Sequence, residues 1–313
     1  MNYKIMLSVI FVILVVTIIF AYSMDLYIQI YDPDWHGIID SSHSIDSTKE
    51  KIFIIGSSNI YSINATKINE KISNQQKSYL IYNLADMSDN PVKRLNSIDN
   101  VISHKPKIVL YGVGIWEFQK FEPKSYSFSD FLLEPRDFFE FLFEITMDST
   151  AREQIPSSPK DRSLTLLKYI LRGPDQDYHP FIKFLPTQIN SYEKIVEDYG
   201  IPDSNGLDLN EENKQIIALN KILNKLQNNN IKVILFTIPQ HNTAISAIET
   251  FELENFQEVL NVKSNEFDIP IYFLHDEYSN LDIWRENFHI AIHPDAEIYT
   301  NDISKIILKE LEE

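Results

Sequence analysis

The chain opens with an unbroken apolar stretch. Residues 5–22 contain no charged side chain, and a membrane-spanning helix needs about 17–25 residues of this kind. Lys4 precedes the stretch, whereas the first charge after it is the acidic Asp25. This asymmetry predicts a cytoplasmic amino terminus with the rest of the chain outside. A cleaved signal peptide is the alternative, but its apolar region is usually shorter, and we therefore expect residues 1–22 to be a transmembrane signal anchor.

The polar residues 23–50 predict a linker that lets the following domain stand off the bilayer. Beyond the linker, short apolar runs alternate with segments of helical periodicity. The apolar runs predict five strands, at residues 51–55, 79–84, 108–114, 231–238 and 270–274. The periodic segments predict helices at about residues 60–73, 92–103, 211–229, 250–267 and 295–311.

This alternation predicts a three-layer αβα domain over residues 51–313. Its core would be a five-stranded parallel sheet in the flavodoxin-like order 2-1-3-4-5. Residues 118–205 interrupt the alternation between the third and fourth strands and begin with many aromatic side chains. They predict a helical insertion with its own small core, and a lid or acyl pocket is the alternative for some of the aromatic residues.

Charge and composition narrow the functional classes. A formal net charge of −17 argues against nucleic-acid binding, which needs a basic face. The absence of cysteine excludes disulfides, thiolate nucleophiles and cysteine-ligated metals. Only seven glycines occur, and three of them, Gly56, Gly112 and Gly114, stand at the ends of two predicted strands. Their position draws attention to the turns at the carboxyl edge of the sheet.

Two groups of reactive side chains flank the predicted sheet. Ser58 follows the first strand, at the edge where open parallel sheets bind ligands. Glu286 and His289 stand three positions apart, between the fifth strand and the last helix. A serine hydroxyl becomes a good nucleophile when a base removes its proton, and a histidine oriented by a carboxylate is such a base. Each residue also has an ordinary interpretation, as a helix cap, a solvated acid or a partly buried histidine.

The two motifs, in this order, resemble those of the SGNH (GDSL-type) hydrolase superfamily. The first block of the family is Gly-Asp-Ser, which residues 56–58 match with serine in the aspartate position. The last block is Asp-x-x-His, which residues 286–289 match with glutamate in place of aspartate. The resemblance implies that Ser58 is the nucleophile, His289 the general base and Glu286 its orienting acid. The Gly-Ser-Ser variant resembles membrane-anchored members that act on cell-envelope polymers.

The oxyanion-hole blocks of the family are matched less well. The second block places a glycine amide after strand two, and Ser88 stands at that position. The third block is Gly-x-Asn-Asp, but residues 112–115 read Gly-Val-Gly-Ile and lack the asparagine. The candidate donors are therefore the backbone amides of Ser88 and Gly114 and the side chain of Asn59. Loss of one such donor can lower turnover by a factor on the order of 10²–10³.

His241 follows the fourth strand, and we expect it to contact the substrate at the sheet edge. Trp116, after the third strand, is a second candidate contact. The spacing Glu-x-x-His-x-x-x-His over residues 286–293 also allows a zinc site, but Pro294 makes residue 293 an extended or capping position. We therefore expect no metal and no other cofactor.

Together these predictions describe a single-pass membrane protein with an extracytoplasmic domain. The resemblance implies an esterase or O-acyltransferase that acts on an ester of a cell-envelope glycan. The expected partners are the membrane, through the amino-terminal helix, and a glycan or small ester substrate, with no nucleic acid. A catalytically decayed SGNH-fold module that binds carbohydrate or a protein partner is the alternative, motivated by the missing asparagine, and a metal-dependent hydrolase is a further one.

Overall fold

A computed structural model of the chain describes residues 11–12, 15–16, 49–74, 79–86, 89–120 and 186–312. Apart from residues 11–12, 15–16 and 49–50, the predicted anchor and linker lie outside these described residues, as does most of the predicted insertion. Within the described ranges, no helix combines the length and hydropathy needed to cross a membrane.

Five parallel strands form one sheet in the order β2-β1-β3-β4-β5. The strands are β1 Glu50–Ser57, β2 Tyr79–Asp86, β3 Ile108–Val113, β4 Lys232–Thr237 and β5 Ile271–Tyr272. This order confirms the predicted flavodoxin-like topology. The fifth strand is shorter than expected, because only two of its residues pair with β4, opposite Leu235 and Phe236.

Two groups of helices complete the three layers. The helices are α1 Ala65–Asn74, α2 Pro91–Ser103, α3 Tyr192–Tyr199, α4 Lys214–Asn228, α5 Asn242–Ile245, α6 Thr250–Phe267 and α7 Ile298–Glu310. α1 packs against α7 and β2, whereas α4 packs against α2 and α6. β3 is buried along its whole length, as expected for a parallel strand that is covered on both faces.

Side-chain caps determine where two of the helices begin. Asn90 accepts the backbone N–H of Lys93 at 3.0 Å, so α2 begins at Pro91. Asn213 accepts the backbone N–H of Gln215 at 2.6 Å, and α4 therefore begins three residues after the predicted start. Each cap stabilises its helix by about 1 kcal/mol.

The carboxyl ends of β1 and β3 approach each other closely at two glycines. Gly56 has a φ of 151°, and a Cβ atom there would lie 2.9 Å from the carbonyl oxygen of Gly112. A Cβ atom at Gly112 would in turn lie 2.7 Å from the ring of Phe236. At residue 56, glycine alone accommodates both the positive φ and the nearby carbonyl oxygen. The chain can therefore turn at once into the short 3₁₀ helix Ser58–Ile60 at the sheet edge.

Gly56→Ala should lower the free energy of unfolding by about 3 kcal/mol or more, because a methyl group there meets a backbone oxygen and the residue keeps a φ that other residues avoid. Chemical denaturation measures this loss. Gly200→Ala is the matched control: it has a φ of 69°, but no atom lies within 4 Å of its added Cβ. With φ 69° and ψ −175°, Gly200 lies in a region that essentially only glycine occupies, so Gly200→Ala should cost about 1–3 kcal/mol from strain alone, and equal losses in the two variants would contradict the collision.

Candidate active site

The turn that carries Ser58 is held by a polar side chain from the neighbouring strand. Asn83, on β2, is 2% exposed. Its Nδ2 donates to the carbonyl oxygens of Ile60 at 2.8 Å and Ile63 at 3.0 Å. These two bonds fix the backbone directly after Ser58. An asparagine inside a buried apolar strand was the sequence signal that could have revealed this role.

The segment after β5 folds into a tight loop that carries the acid and the histidine. Two backbone hydrogen bonds close the loop, from Arg285 to His289 and from Ala291 to Ile283, and together they form an antiparallel bridge between Trp284 and Ile290. Trp284 is 1% exposed, and its indole N–H donates to the carbonyl of Tyr278 at 2.9 Å. Residues 286–289 therefore lie at the tip of an anchored loop.

The structure brings Ser58, His289 and Glu286 together. Ser58 Oγ lies 2.9 Å from His289 Nε2. His289 Nδ1 hydrogen-bonds Glu286 Oε1, and Glu286 Oε2 accepts the backbone N–H of Phe288 at 3.1 Å. This arrangement requires the tautomer in which Nδ1 carries the proton and Nε2 is the acceptor. A base in this position can remove the proton of the Ser58 hydroxyl.

The other serine of the motif has a different partner. The Ser57 hydroxyl donates to Asn59 Oδ1 at 3.3 Å, and Ser57 is 8% exposed. Ser58, and not Ser57, is therefore the serine that faces His289. The histidine side chain is 31% exposed and that of Glu286 is 14% exposed, so the base faces solvent while the acid is shielded.

Two of the three oxyanion-hole candidates can be located. Gly114 donates its N–H to the Glu117 carboxyl group, and a Cβ at residue 114 would lie 2.8 Å from Glu117 Oε1. The Glu117 carboxyl therefore competes with an oxyanion for this amide, and Gly114 as an oxyanion donor stays a prediction. Asn59 accepts with its oxygen, which leaves its Nδ2 as the donor that it can offer. Ser88 lies outside the described residues.

A buried polar cluster connects the turns that follow β2 and β3. Asp89 and Arg94 are 4% and 1% exposed, and Arg94 Nε donates to Asp89 Oδ2 at 2.7 Å. Three further oxygens are buried without a hydrogen-bond partner in the described part of the chain: Asp89 Oδ1, Tyr111 Oη and Glu117 Oε2. One arginine thus faces two carboxyl groups in this interior.

Burial raises the pKa of the Glu117 carboxyl well above its usual value, and the charge of Asp89 adds to this increase. The Gly114 N–H and Arg94 oppose it. Burial also raises the pKa of Asp89, against the opposing charge of Arg94. Glu117 therefore holds its proton more firmly in the folded protein than in the unfolded chain.

His241, expected to contact substrate at the sheet edge, is buried. His241 is 5% exposed and lies between the rings of Tyr192 and Trp284, with both centroids 5.6 Å away. Its Nδ1 accepts the backbone N–H of Thr243 at 3.2 Å. Burial lowers the pKa of this imidazole, although the charge of Glu286 opposes the shift. The chain turns inward directly after β4, which apolar periodicity alone did not indicate.

Trp116 lies next to the loop tip. Its ring meets that of Phe288 edge-on, at a centroid distance of 5.2 Å. The indole nitrogen is buried and has no hydrogen-bond partner among the described residues. Trp116 is therefore close to the residue that precedes His289, and its contact with substrate stays a prediction.

His293 is a cap, as the following proline predicted. Its Nδ1 accepts the backbone N–H of Asp295 at 3.2 Å, at the start of the 3₁₀ helix Pro294–Ala296. His289 instead points toward Ser58. Across the residues that the structure describes, no group of three metal-ligating side chains is gathered in one place.

Glu117→Gln should make the protein relatively more stable as pH rises. The folded carboxyl keeps its proton above the unfolded pKa of about 4.5, so the free energy of unfolding of the wild type falls between that pH and the folded pKa. Glutamine removes this loss while it keeps the side-chain shape. The difference between variant and wild type should grow by up to about 1.4 kcal/mol per pH unit, measured by chemical denaturation at several pH values.

Glu254→Gln, at an exposed position of α6, is the matched control and should show no such growth. A stability difference for Glu117→Gln that stays constant between pH 5 and neutrality would contradict the buried proton.

No protein-family model matches the chain, and no curated protein matches it. Three solved structures resemble it. TesA is 9% identical over 81% of this chain and 96% of its own, with a TM-score of 0.42, and the psychrotrophic esterase EstA from Pseudoalteromonas sp. is 12% identical over 85% of this chain and 100% of its own, with a TM-score of 0.43. A GDSL-like lipase from Bacteroides thetaiotaomicron is 9% identical over 90% of this chain and 98% of its own, with a TM-score of 0.39. At such low identities and with TM-scores under 0.5, this likeness carries no argument about activity, which rests instead on the residues around Ser58.

Proposed function

We propose that this chain is an SGNH-type serine hydrolase that cleaves ester bonds by acyl transfer through Ser58. The observation that carries this proposal is the continuous hydrogen-bonded chain from Ser58 through His289 to Glu286 at the carboxyl edge of the parallel sheet. A serine that only caps a helix has no need of a histidine whose second nitrogen is held by a carboxylate. That pairing is the arrangement that activates a nucleophile.

In the proposed reaction, Ser58 Oγ attacks the ester carbonyl carbon while its proton passes to His289 Nε2. The imidazolium then gives this proton to the leaving alcohol oxygen, so the C–O ester bond breaks and an acyl-serine remains. In hydrolysis, water attacks the acyl carbon while His289 takes its proton; the bond between that carbon and Ser58 Oγ then breaks, the carboxylic acid leaves and His289 returns the proton to Ser58. A sugar hydroxyl in place of water would make the same site an O-acyltransferase.

The oxyanion would form beside the 3₁₀ helix that begins at Ser58. The backbone N–H of Ser58 and the Nδ2 of Asn59 are the donors proposed from the described residues, because the Glu117 carboxyl competes for the Gly114 amide. The Ser57 hydroxyl supports Asn59 by donating to its oxygen, which leaves the amide nitrogen of Asn59 for the substrate. The Ser88 amide is the further donor implied by the family resemblance.

The proposed substrate is an ester of a cell-envelope glycan. His289 is partly exposed, which suits a substrate that is too large to enter a closed cavity. The neighbouring rings of Trp116 and Phe288 offer an apolar wall of the kind on which a sugar ring can pack. The apolar run at residues 5–22 supports a membrane anchor that holds the domain outside the cell, close to such a polymer.

A binding module on the same scaffold is the second candidate function. Two features favour a binding module. Residues 112–115 lack the asparagine of the third SGNH block, and the Gly114 amide already interacts with the Glu117 carboxyl. If too few donors remain for the oxyanion, the site would hold a carbohydrate or protein partner without turning over an ester.

Ser58→Ala and His289→Ala should each lower hydrolysis of p-nitrophenyl acetate by a factor on the order of 10⁴–10⁶, and the double variant should be little worse, because the residues act as a unit. Glu286→Gln should lose less, since this residue orients the base without carrying the transferred proton. A fluorophosphonate probe should label wild-type protein at Ser58, as read by peptide mass spectrometry.

Ser103→Ala, at the exposed end of α2, is the control and should keep wild-type activity and labelling. Ser57→Ala should lose less than about tenfold, because its hydroxyl only supports Asn59. Labelling at Ser57 would overturn the assigned nucleophile, and wild-type protein that is inert toward both esters and the probe would favour the binding module.

Protease added to intact cells should remove the domain that follows residue 22, because the charge asymmetry predicts that this domain lies outside. An antibody against the carboxyl terminus can follow its loss. Lysed cells provide the control in which every orientation is cleaved. A domain that resists protease in intact cells but is cut after lysis would overturn the proposed topology.

A further inference from the structure

The asparagine between the acid and the histidine is bound on three sides. Asn287 is 4% exposed. Its Oδ1 accepts the Thr243 hydroxyl at 2.6 Å, and its Nδ2 donates to the Gly200 carbonyl at 3.0 Å. Its own carbonyl accepts the backbone N–H of His241 at 3.2 Å. Side chain and backbone are therefore both fixed at the centre of residues 286–289.

The first of these partners lies in the turn after β4. Thr243 is fully buried at the start of α5, and its hydroxyl lies between Asn287 Oδ1 and His241 Nδ1, the latter 2.8 Å away. The Thr243 N–H donates to the same Nδ1. An imidazole that accepts from this amide leaves the threonine proton available for Asn287. The turn after β4 is thus connected to the loop tip through side chains with little freedom to move.

The second partner belongs to the segment that returns from the insertion to the sheet, residues 186–201. Besides Gly200, this return segment contacts the same loop at two further places. Asn190 donates to Trp284 from its backbone at 2.8 Å and to Arg285 from its side chain at 2.6 Å. Thr187 exchanges two hydrogen bonds with Ile292, at 2.7 and 3.0 Å. The loop is therefore held on both sides of residues 286–289.

We propose that Asn287 and Thr243 are positioning residues for the reaction of Ser58, which hold Glu286 against His289 by fixing the loop tip to the turn after β4 and to the return segment. This inference rests on the proposed function. Neither side chain touches the reacting atoms. Instead, they set the angle and distance between the Glu286 carboxylate and the His289 imidazole. This geometry decides how well the base faces Ser58.

Thr243→Val keeps the side-chain shape but removes the hydroxyl, and Asn287→Leu removes both amide bonds. Each should lower kcat for p-nitrophenyl acetate by about 10- to 100-fold, with KM changed less than about threefold, because substrate contacts are kept while the base is misaligned. Thr243→Ser restores the hydroxyl and should regain most of the lost activity. Asn224→Leu is the matched control, since Asn224 is exposed on α4 and bonds only within its own helix in the described structure.

A second measurement does not depend on turnover. The Nδ1 proton of His289, held by Glu286, should give a strongly downfield ¹H resonance in wild-type protein, and this resonance should move upfield and broaden in Thr243→Val and Asn287→Leu. Both variants are compared at a temperature where far-UV circular dichroism shows them folded. If Asn287→Leu does not fold, the result for Thr243→Val decides the test.

Unchanged kcat together with an unchanged proton resonance would overturn the positioning role, as would loss of activity that Thr243→Ser does not restore. If the wild type neither hydrolyses esters nor reacts with the fluorophosphonate probe, the proposed function fails. The proton resonance still decides whether Asn287 and Thr243 hold Glu286 against His289.

Discussion

The close approach of Gly56 to the Gly112 carbonyl determines where the proposed nucleophile stands. A Cβ atom at residue 56 would lie 2.9 Å from that oxygen, which no side chain tolerates. With glycine there, β1 stays paired with β2 to its last residue, Ser57, and the chain then turns directly into the 3₁₀ helix that begins at Ser58. Asn83 holds the turn from the other side. The serine hydroxyl is therefore placed by backbone packing, before any catalytic partner contributes.

A different set of contacts positions His289 beside this serine. β5 contributes only two residues to the sheet, so no long strand aims the loop that follows. Instead, a buried tryptophan and two backbone hydrogen bonds close residues 283–291 into a compact loop. Bonds from Thr243 and from the return segment fix its tip. One half of the site is thus supported by the sheet and the other by hydrogen bonds between loops.

The sequence predicted the parts of this site that follow from periodicity and from short motifs. Apolar runs located the strands, their alternation with helices indicated a doubly wound parallel sheet, and the resemblance singled out Ser58, Glu286 and His289. Contacts between loops have no such period, so Thr243 and Asn287 were missed and His241 was expected at the rim although it is buried. The contact between Gly114 and Glu117 was missed because sequence patterns normally assign such an acid to solvent.

The motif that residues 286–289 resemble has aspartate where this chain has Glu286, and this difference has a physical consequence for the loop. The extra methylene of Glu286 adds a rotatable bond, and this freedom must be lost when the carboxylate is fixed. Hydrogen bonds to both carboxylate oxygens offset the free-energy cost of this lost freedom, one with the imidazole of His289 and one with the backbone N–H of Phe288. Phe288 is itself packed against Trp116. The longer acid therefore folds back onto its own loop, and its orientation depends on how rigidly residues 286–289 are held.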